Sequence, residues 1–433
     1  MMFNELSVYG QLDWPLLSTL IWFPIISAIV LRYFNKIDNA HVFTMFVLVV
    51  ELWLCGAVIL YYTPEAADIQ FFEQSNLWIG LNYSLGIDGI SLLFVPWAVL
   101  TTLLLVLYIY LTNKNKIEAN YLSYVLLCLG CKLGALLSMD LLLFWIFIVA
   151  EIYPISRLIS KFGKGDKCKE ASRHYSSSMM ASSIAMLIGL TVLANQTSTG
   201  DNSFSYISLF GKPISENIQY VVFPILFFAF MFRAPLFPFH TWMLKAINNG
   251  PVLTMGVFLI GINTAVYGLI RLTPLFIDAI DEFYIIGVLI CLASVIYGSL
   301  IALVQSSLLR LLSYSTIAHL GVIVMATFSL NALGLYGSML SALNLFITTV
   351  GLFFISNFIS NRTGSLEINN NHYYLFRTTP LLTASFIALV IGNIGFPGTL
   401  GFNAEHTIIL GALSGNWVML ITNKQAMFIY IIC

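Results

Sequence analysis

FPILFFAFMFRAPLFPFHTWMLKAINNGPVLTMGVFLIGINTAVYGLIRL, residues 223–272, is an apolar run that places Arg233, Pro235, Pro238 and His240 in quick succession. Each proline removes a backbone donor, and Pro238 also restricts Phe237, so a helix entering at Phe223 is expected to stop near Arg233. In hydrocarbon the carbonyls freed by such a break need partners, and irregular backbone survives only where protein buries it or a water-filled cavity receives it. With a cation just ahead of the break, the stretch predicts a polar passage at mid-membrane. A second interruption lies towards the other end of the chain, where Gly392, Gly395, Pro397, Gly398 and Gly401 break an apolar run and Glu405 follows. Two interrupted spans, one in each half, are the pattern of an ion transporter built from repeats.

The rest of the composition agrees with a membrane setting. Of 433 residues 59% are hydrophobic and only 9% charged, and the mean hydropathy is +0.89. Such a chain is a polytopic membrane protein, not a soluble domain. The formal net charge of -1 offers no basic excess, and no glycine-rich phosphate loop is present, so nucleic acid is excluded as a partner. The cysteines are Cys55, Cys128, Cys131, Cys168, Cys291 and Cys433. Only Cys128 and Cys131 have CxxC spacing, inside an apolar helix with no second pair or nearby histidine, so they are expected to be core thiols and not metal or redox ligands. The N-terminal MMFNELSVYGQLDW has neither a basic signal region nor an Arg-rich transit sequence, so insertion is expected to rely on the spans themselves.

Apolar windows long enough to cross the hydrocarbon fall at 16–32, 41–62, 91–112, 119–138, 141–160, 175–194, 218–236, 251–272, 283–304, 308–330, 335–359, 379–415 and 417–433. That predicts an all-α protein of about thirteen transmembrane helices, with 379–415 too long for one straight crossing of a core of about 30 Å. The connections carrying Arg32, Lys36, Lys114, Lys116, the lysines and arginine of 161–173, Arg310, Arg362 and Arg377 all fall on one side of this count. Glu65, Asp68, Glu73, Asp88, Asp201, Asp278, Asp281 and Glu282 fall on the other. The positive-inside rule then puts the N-terminus outside and the C-terminus inside.

Several ionisable groups remain within the windows. Glu51 is expected to pair structurally with a neighbouring helix. Lys132 and Glu151 flank a tight turn at 138–140, at roughly 10 and 16 Å from it along their helices. A long lysine side chain bridges that difference, which predicts a buried Lys132–Glu151 pair, either a fixed pair or a relay. His319, in LLSYSTIAHLG, has the hydroxyls of Tyr314, Ser315 and Thr316 close in sequence and titrates near neutral pH, which favours a functional role. Asn263 is a polar amide within a span, most simply helix-packing glue. Glu405, next to the second break, is the strongest single candidate, and Lys424 interrupts the last window, where snorkelling competes with a buried site.

Taken together, LGIDGISLLF at 85–94, DLLLFWIF at 140–147, FRAPLFPFHTWMLKA at 232–246, YGLIR at 267–271, LLRLLSYSTIAHLG at 308–321 and FPGTLGFNAE at 396–405 resemble the antiporter-like subunits of respiratory complex I, and among them NADH dehydrogenase subunit 4. The resemblance covers most of the chain in order. It implies two inverted five-helix repeats, each with a broken helix: 1–112 would hold three N-terminal spans, 113–272 the first repeat with its break near 233–251, and 273–433 the second with its break near 392–403. It also implies a line of lysine, glutamate and histidine across the membrane that carries protons, with electron transfer elsewhere. No cofactor is expected in this chain; NADH, FMN, iron–sulfur clusters and ubiquinone would belong to other subunits. Implied partners are other membrane-arm subunits, antiporter-like ones among them, and lipids. The implied location is the mitochondrial inner membrane, with the N-terminus in the intermembrane space and the C-terminus in the matrix, or alternatively a bacterial plasma membrane. A stand-alone Mrp-type cation/proton antiporter is the related alternative.

Glu405 and His319 match the family positions, but others depart. The family lysine before the first break is Arg233 here, and arginine holds its proton where a desolvated lysine releases it. The central lysine aligns with Asn263 and a second relay histidine with Leu345, neither of which titrates. The family glutamate aligns with Val149, about 200° around the helix from Glu151. These losses leave open a structural, weakly pumping spacer. The family usually has one further span, so either the gene is short or a separate polypeptide supplies the rest.

Overall fold

The computed structural model describes residues 7–10, 14–33, 39–64, 68–78, 81–112, 118–197, 204–210, 214–261, 264–364, 366–368 and 378–414. Ten helices among them are long and apolar enough to cross a membrane, as this composition requires: a chain in hydrocarbon must satisfy its backbone internally, and a helix does so within one segment. The protein is a multi-pass membrane protein. The chain divides into two compact units, Met1–Ala229 and Phe230–Cys433.

The first unit holds α1 (Leu16–Tyr33), α2 (Ala40–Tyr61), α3 (Gly89–Thr112), α4 (Ala119–Leu137), α5 (Leu141–Phe162), α6 (Cys168–Thr197), the short α7 (Tyr206–Phe210) and the start of α8 (Glu216–Arg233). Helix α4 packs against α1, α3 and α5, and α5 against α6. In this unit α4 is the most enclosed of the long apolar helices. Its small residues explain why: an added Cβ at Gly130 would strike Ile25 of α1, and one at Gly134 would strike Phe147 of α5.

The expectation of an all-α chain needs one correction. Strands β1 (Val8–Tyr9), β2 (Ile69–Trp78) and β3 (Leu81–Ile87) form a sheet in that order, with β1 parallel to β2 and β2 antiparallel to β3. The sheet lies at the start of α1, α3 and α5 and the end of α2 and α4. Glu73 of β2 accepts from the N–H groups of Leu17 and Ser18 at 2.7 and 3.0 Å, capping the free donors of the first turn of α1. Asp88 accepts from the Ser91 N–H at 2.8 Å and starts α3. The Met139 N–H donates to Ser84 O at 2.9 Å, so β3 also fastens the α4–α5 turn.

The second unit runs from the end of α8 through α9 (Thr241–Asn249), α10 (Val252–Met255), a π-helical stretch (Gly256–Gly261), α11 (Thr264–Leu272), a short 3-10 turn, α12 (Ile277–Leu303), α13 (Leu308–Thr327), α14 (Ala332–Thr363), α15 (Pro380–Ile394) and α16 (Leu400–Ser414). Helix α14 packs against α13, α15, α16 and the π-helical stretch. The window at 251–272 is therefore not one regular helix. Side chains of Phe346, Val350 and Phe353 on α14 press against Gly256 and Gly261, where any Cβ would collide. The window at 417–433 lies outside the described residues.

Candidate functional site

In the first unit, Lys132 of α4 and Glu151 of α5 are both buried and form an ion pair, Nζ to Oε1 3.0 Å. Local sequence sets up the contact. Asp140 caps α5, its Oδ1 accepting from the Leu142 and Leu143 N–H groups at 2.9 and 3.1 Å, so the 138–140 turn returns the chain immediately alongside α4. Val149, rotated away on the same helix, is half-buried, while Glu151 points inwards. Burial pushes the Asp140 carboxyl, which lies between the spans, up to about 6 despite the N–H donors around it. Glu51 of α2 is fully buried, and neither carboxyl oxygen has a hydrogen-bond partner among the described residues, so the structural pairing expected for it is not seen among them. Buried with no counter-charge among the described residues, such a group is costly as an anion. Cys128 and Cys131 are buried thiols.

In the second unit, α8 ends at Arg233 and residues 234–240 turn before α9 begins. Pro235 is buried and Pro238 exposed within that turn. The backbone freed by the break finds partners in protein. Phe232 O accepts from the Trp242 indole N–H at 2.7 Å, and the Phe237 N–H donates to Ser294 Oγ of α12 at 3.0 Å. Arg233 and His240 are buried. The His240 ring lies 4.9 Å from that of Tyr297 and 6.2 Å from that of Tyr314, centroid to centroid.

The second break is made by two glycines with left-handed backbone, Gly395 (φ 74) and Gly398 (φ 94), on either side of the exposed Phe396 and Pro397. Gly395 ends α15, and the Glu405 carboxylate of α16 rests against it: a Cβ at 395 would lie 2.7 Å from Glu405 Cδ. Asn344 of α14 donates to Gly392 O at 3.1 Å, and the Thr348 hydroxyl donates to Asn393 Oδ1 at 3.0 Å, tying α14 to the break.

A cavity of about 470 Å³ is lined by His319 of α13 and Glu405 of α16, with the hydroxyls of Ser299, Ser315 and Ser341 among apolar neighbours from α12 to α16. Its described lining does not include Arg233, Pro235, Pro238, His240, Pro397 or Gly398. Of the three hydroxyls close to His319 in sequence, Ser315 alone lines the cavity. Tyr314 lies beside His240 and Tyr297, and the Thr316 hydroxyl is spent on Leu312 O of its own helix at 2.8 Å. Leu345 is buried in α14, its carbonyl accepting from the Thr349 hydroxyl. Asn263 and Lys424 lie outside the described residues. Sequence reasoning missed Ser294, Tyr297, Ser299 and Ser341. The first two sit three apart on α12, a polar stripe on one helical face that the apolar window concealed.

A family model described as NADH:quinone oxidoreductase/Mrp antiporter, TM, matches residues 138–429. The chain belongs to that family. The matched region contains Glu151, both breaks, His319 and Glu405, and starts after Lys132. Among curated members of this antiporter-like family, NADH-quinone oxidoreductase subunit M of Rickettsia prowazekii (strain Madrid E) is 29% identical over 420 residues, covering 94% of this chain and 84% of that protein. NADH-ubiquinone oxidoreductase chain 4 of Acanthamoeba castellanii is 29% identical over 386 residues, covering 86% and 75%. A chain of respiratory complex I from Thermus thermophilus superposes with a TM-score of 0.82 at 23% identity, over 96% of this chain and 86% of that one. A chain of the Mrp complex from Dietzia sp. DQ12-45-1b gives 0.81 at 22% identity, over 96% and 78%. At such identities the two structures establish the shared fold.

Proposed function

We infer that the chain is a membrane-arm subunit of a proton-translocating NADH:quinone oxidoreductase and takes part in proton transfer driven by electron transfer in other subunits. The observation that carries this is the single cavity receiving both His319 and Glu405, beside a helix broken at Gly395. An imidazole and a carboxyl facing one cavity that also holds three serines can exchange a proton through hydroxyls or water, and the missing side chain at Gly395 leaves room for the carboxylate to swing. His240, Tyr297 and Tyr314 form a second polar group beside the first break. Arg233 there acts as a fixed charge. Lys132–Glu151 supplies the acid–base pair of the first unit. In this reading thirteen crossings, counting 417–433, form two inverted repeats at 113–272 and 273–433 after three N-terminal spans. The N-terminus faces the outside, the intermembrane space if the membrane is the inner mitochondrial one. NADH, FMN, iron–sulfur clusters and ubiquinone reside in partner subunits, and any enzyme activity belongs to the assembly.

A second reading, a spacer that keeps the architecture but pumps little, is favoured by the apolar packing of Phe346, Val350 and Phe353 against the π-helical stretch just before Asn263, with Leu345 buried on the same helix. Titratable groups are absent there among the described residues. A stand-alone Mrp-type antiporter is the third, and purification without redox subunits would favour it. Replacing Glu405 with Gln in the assembled complex separates the first two: transport predicts fewer protons moved per NADH oxidised, and unchanged coupling sinks it.

A further inference from the structure

At the cation-rich face of the first unit, Arg32 of α1 and Arg157 and Lys161 of α5 converge on two tyrosines. An Arg32 Nη donates to the Tyr153 hydroxyl at 3.1 Å, and its guanidinium lies 5.8 Å from the Tyr124 ring centroid on α4. The Arg157 guanidinium lies 5.3 Å from the Tyr153 ring, and Lys161 Nζ 6.0 Å from the Tyr124 ring. Lys164, Lys167, Lys169 and Arg173 continue the cluster along the connection and into α6, all of them exposed. Glu118, Asp166 and Glu170 are the described acids on that face, and none of the seven cations forms an ion pair with a described residue.

The depth of the cluster is informative. Arg157 stands about 7 Å before the end of α5 and Tyr153 about 13 Å before it, at the usual helical rise. From that depth the exposed Arg157 side chain reaches towards the headgroup layer, where Arg32 and Lys161 already lie at their helix ends and lipid phosphates supply a counter-charge. Beneath them, exposed residues recur at helical spacing: Trp22, Ile26, Ile29 and Tyr33 on α1, and Ile146, Ala150 and Tyr153 on α5. These stripes are oily surfaces leading directly to the charges.

We propose that this cluster binds the phosphate headgroup of an anionic phospholipid, with the acyl chains lying along the two stripes. Arg32, fixed by Tyr153 and Tyr124, and Arg157 grip the phosphate, and Lys161 with the loop cations widens the basin that gathers anionic lipid. The apolar stripes select a lipid over free phosphate.

The test uses the intact complex in phosphatidylcholine nanodiscs doped with a photoactivatable phosphatidylglycerol, with cross-links mapped by peptide mass. The expected result is labelling of α1 and α5 near Arg32 and Arg157, competed by phosphatidylglycerol but not by phosphatidylcholine or inorganic phosphate. Each of R32Q and R157Q should weaken retention by about fivefold, as expected of one cation near an anionic bilayer, and R157K should restore most of it. Equal labelling by a zwitterionic probe, or full competition by inorganic phosphate, overturns the proposal. So does an acidic peptide of another subunit cross-linked to Arg157 or Lys161 in place of lipid. The competition arms need only the unaltered protein, so they decide the matter even where a variant fails to assemble.

Discussion

Alanine at Gly395 and at Gly398 makes a matched pair of perturbations at the second break. Both residues have positive φ, 74 and 94, so either substitution places an L-residue in left-handed backbone, at a cost of about 1–2 kcal/mol. Beyond that they differ. Nothing lies within 4 Å of a Cβ at 398, whereas one at 395 would sit 2.7 Å from Glu405 Cδ and 2.9 Å from its Oε1. The carboxylate must therefore rotate away, and a flexible side chain does so for about 0.5–1.5 kcal/mol. Thermal unfolding of the purified complex should thus show two variants of similar stability, with G395A lower by no more than that increment. Coupling should separate them. In proteoliposomes, G398A should retain the protons moved per NADH oxidised, while G395A, with Glu405 displaced from its cavity, should lose a substantial part. Equal coupling in the two variants, or a larger loss in G398A, would refute the idea that the resting place of Glu405 against Gly395 matters to transport.

The buried pair in the first unit gives a second test. Lys132→Met leaves the Glu151 carboxylate uncompensated and should destabilise the protein by about 3–5 kcal/mol, whereas Lys132→Met with Glu151→Met should recover most of the loss, read from denaturation in detergent. Asp140 gives a third. Its folded-state value, about 6, lies above the ordinary carboxylate value, so between the two the folded protein holds the extra proton. Stability from this group is present below pH 4 and lost as pH rises through 6, by about 3 kcal/mol in all. Asp140→Asn keeps a capping side chain and should flatten that part of the pH profile in thermal melts between pH 4 and 7; an unchanged slope would contradict it.

Most of the helical framework was readable because each span is a long apolar run whose ends carry charge, proline or glycine. The contact between Lys132 and Glu151 was within reach for a similar reason. A three-residue turn fixes two neighbouring helices in register, so distance along the chain becomes distance in space. The sheet escaped notice because adjacent Phe71 and Phe72 and the irregular register of β2 spoil the alternation that marks a strand. The surroundings of His240 also escaped, since Tyr297 is distant in sequence and only the packing of α12 and α13 unites them. In the case of His319, closeness in sequence misled: Tyr314 and Thr316 project from other sides of α13, and its cavity draws Glu405 from the far end of the chain. That Glu51 has no hydrogen-bond partner among the described residues was invisible for the converse reason, because a sequence shows a carboxyl but not what packs around it.

The sheet that holds the α1 cap and the α4–α5 turn has a mechanical consequence. In the first unit, helix ends on that side are stitched by the Glu73 and Asp88 carboxylates and by the Met139–Ser84 backbone hydrogen bond, while the connections on the opposite side carry many cations. A structure braced by its sheet at one rim is stiffest there, with angular displacement growing with distance from the brace. Motions of this unit should therefore be smallest beside Glu73 and Ser84 and largest around Arg157 and Lys161. Amide exchange along α5 should quicken steadily from its Asp140 end to its Phe162 end.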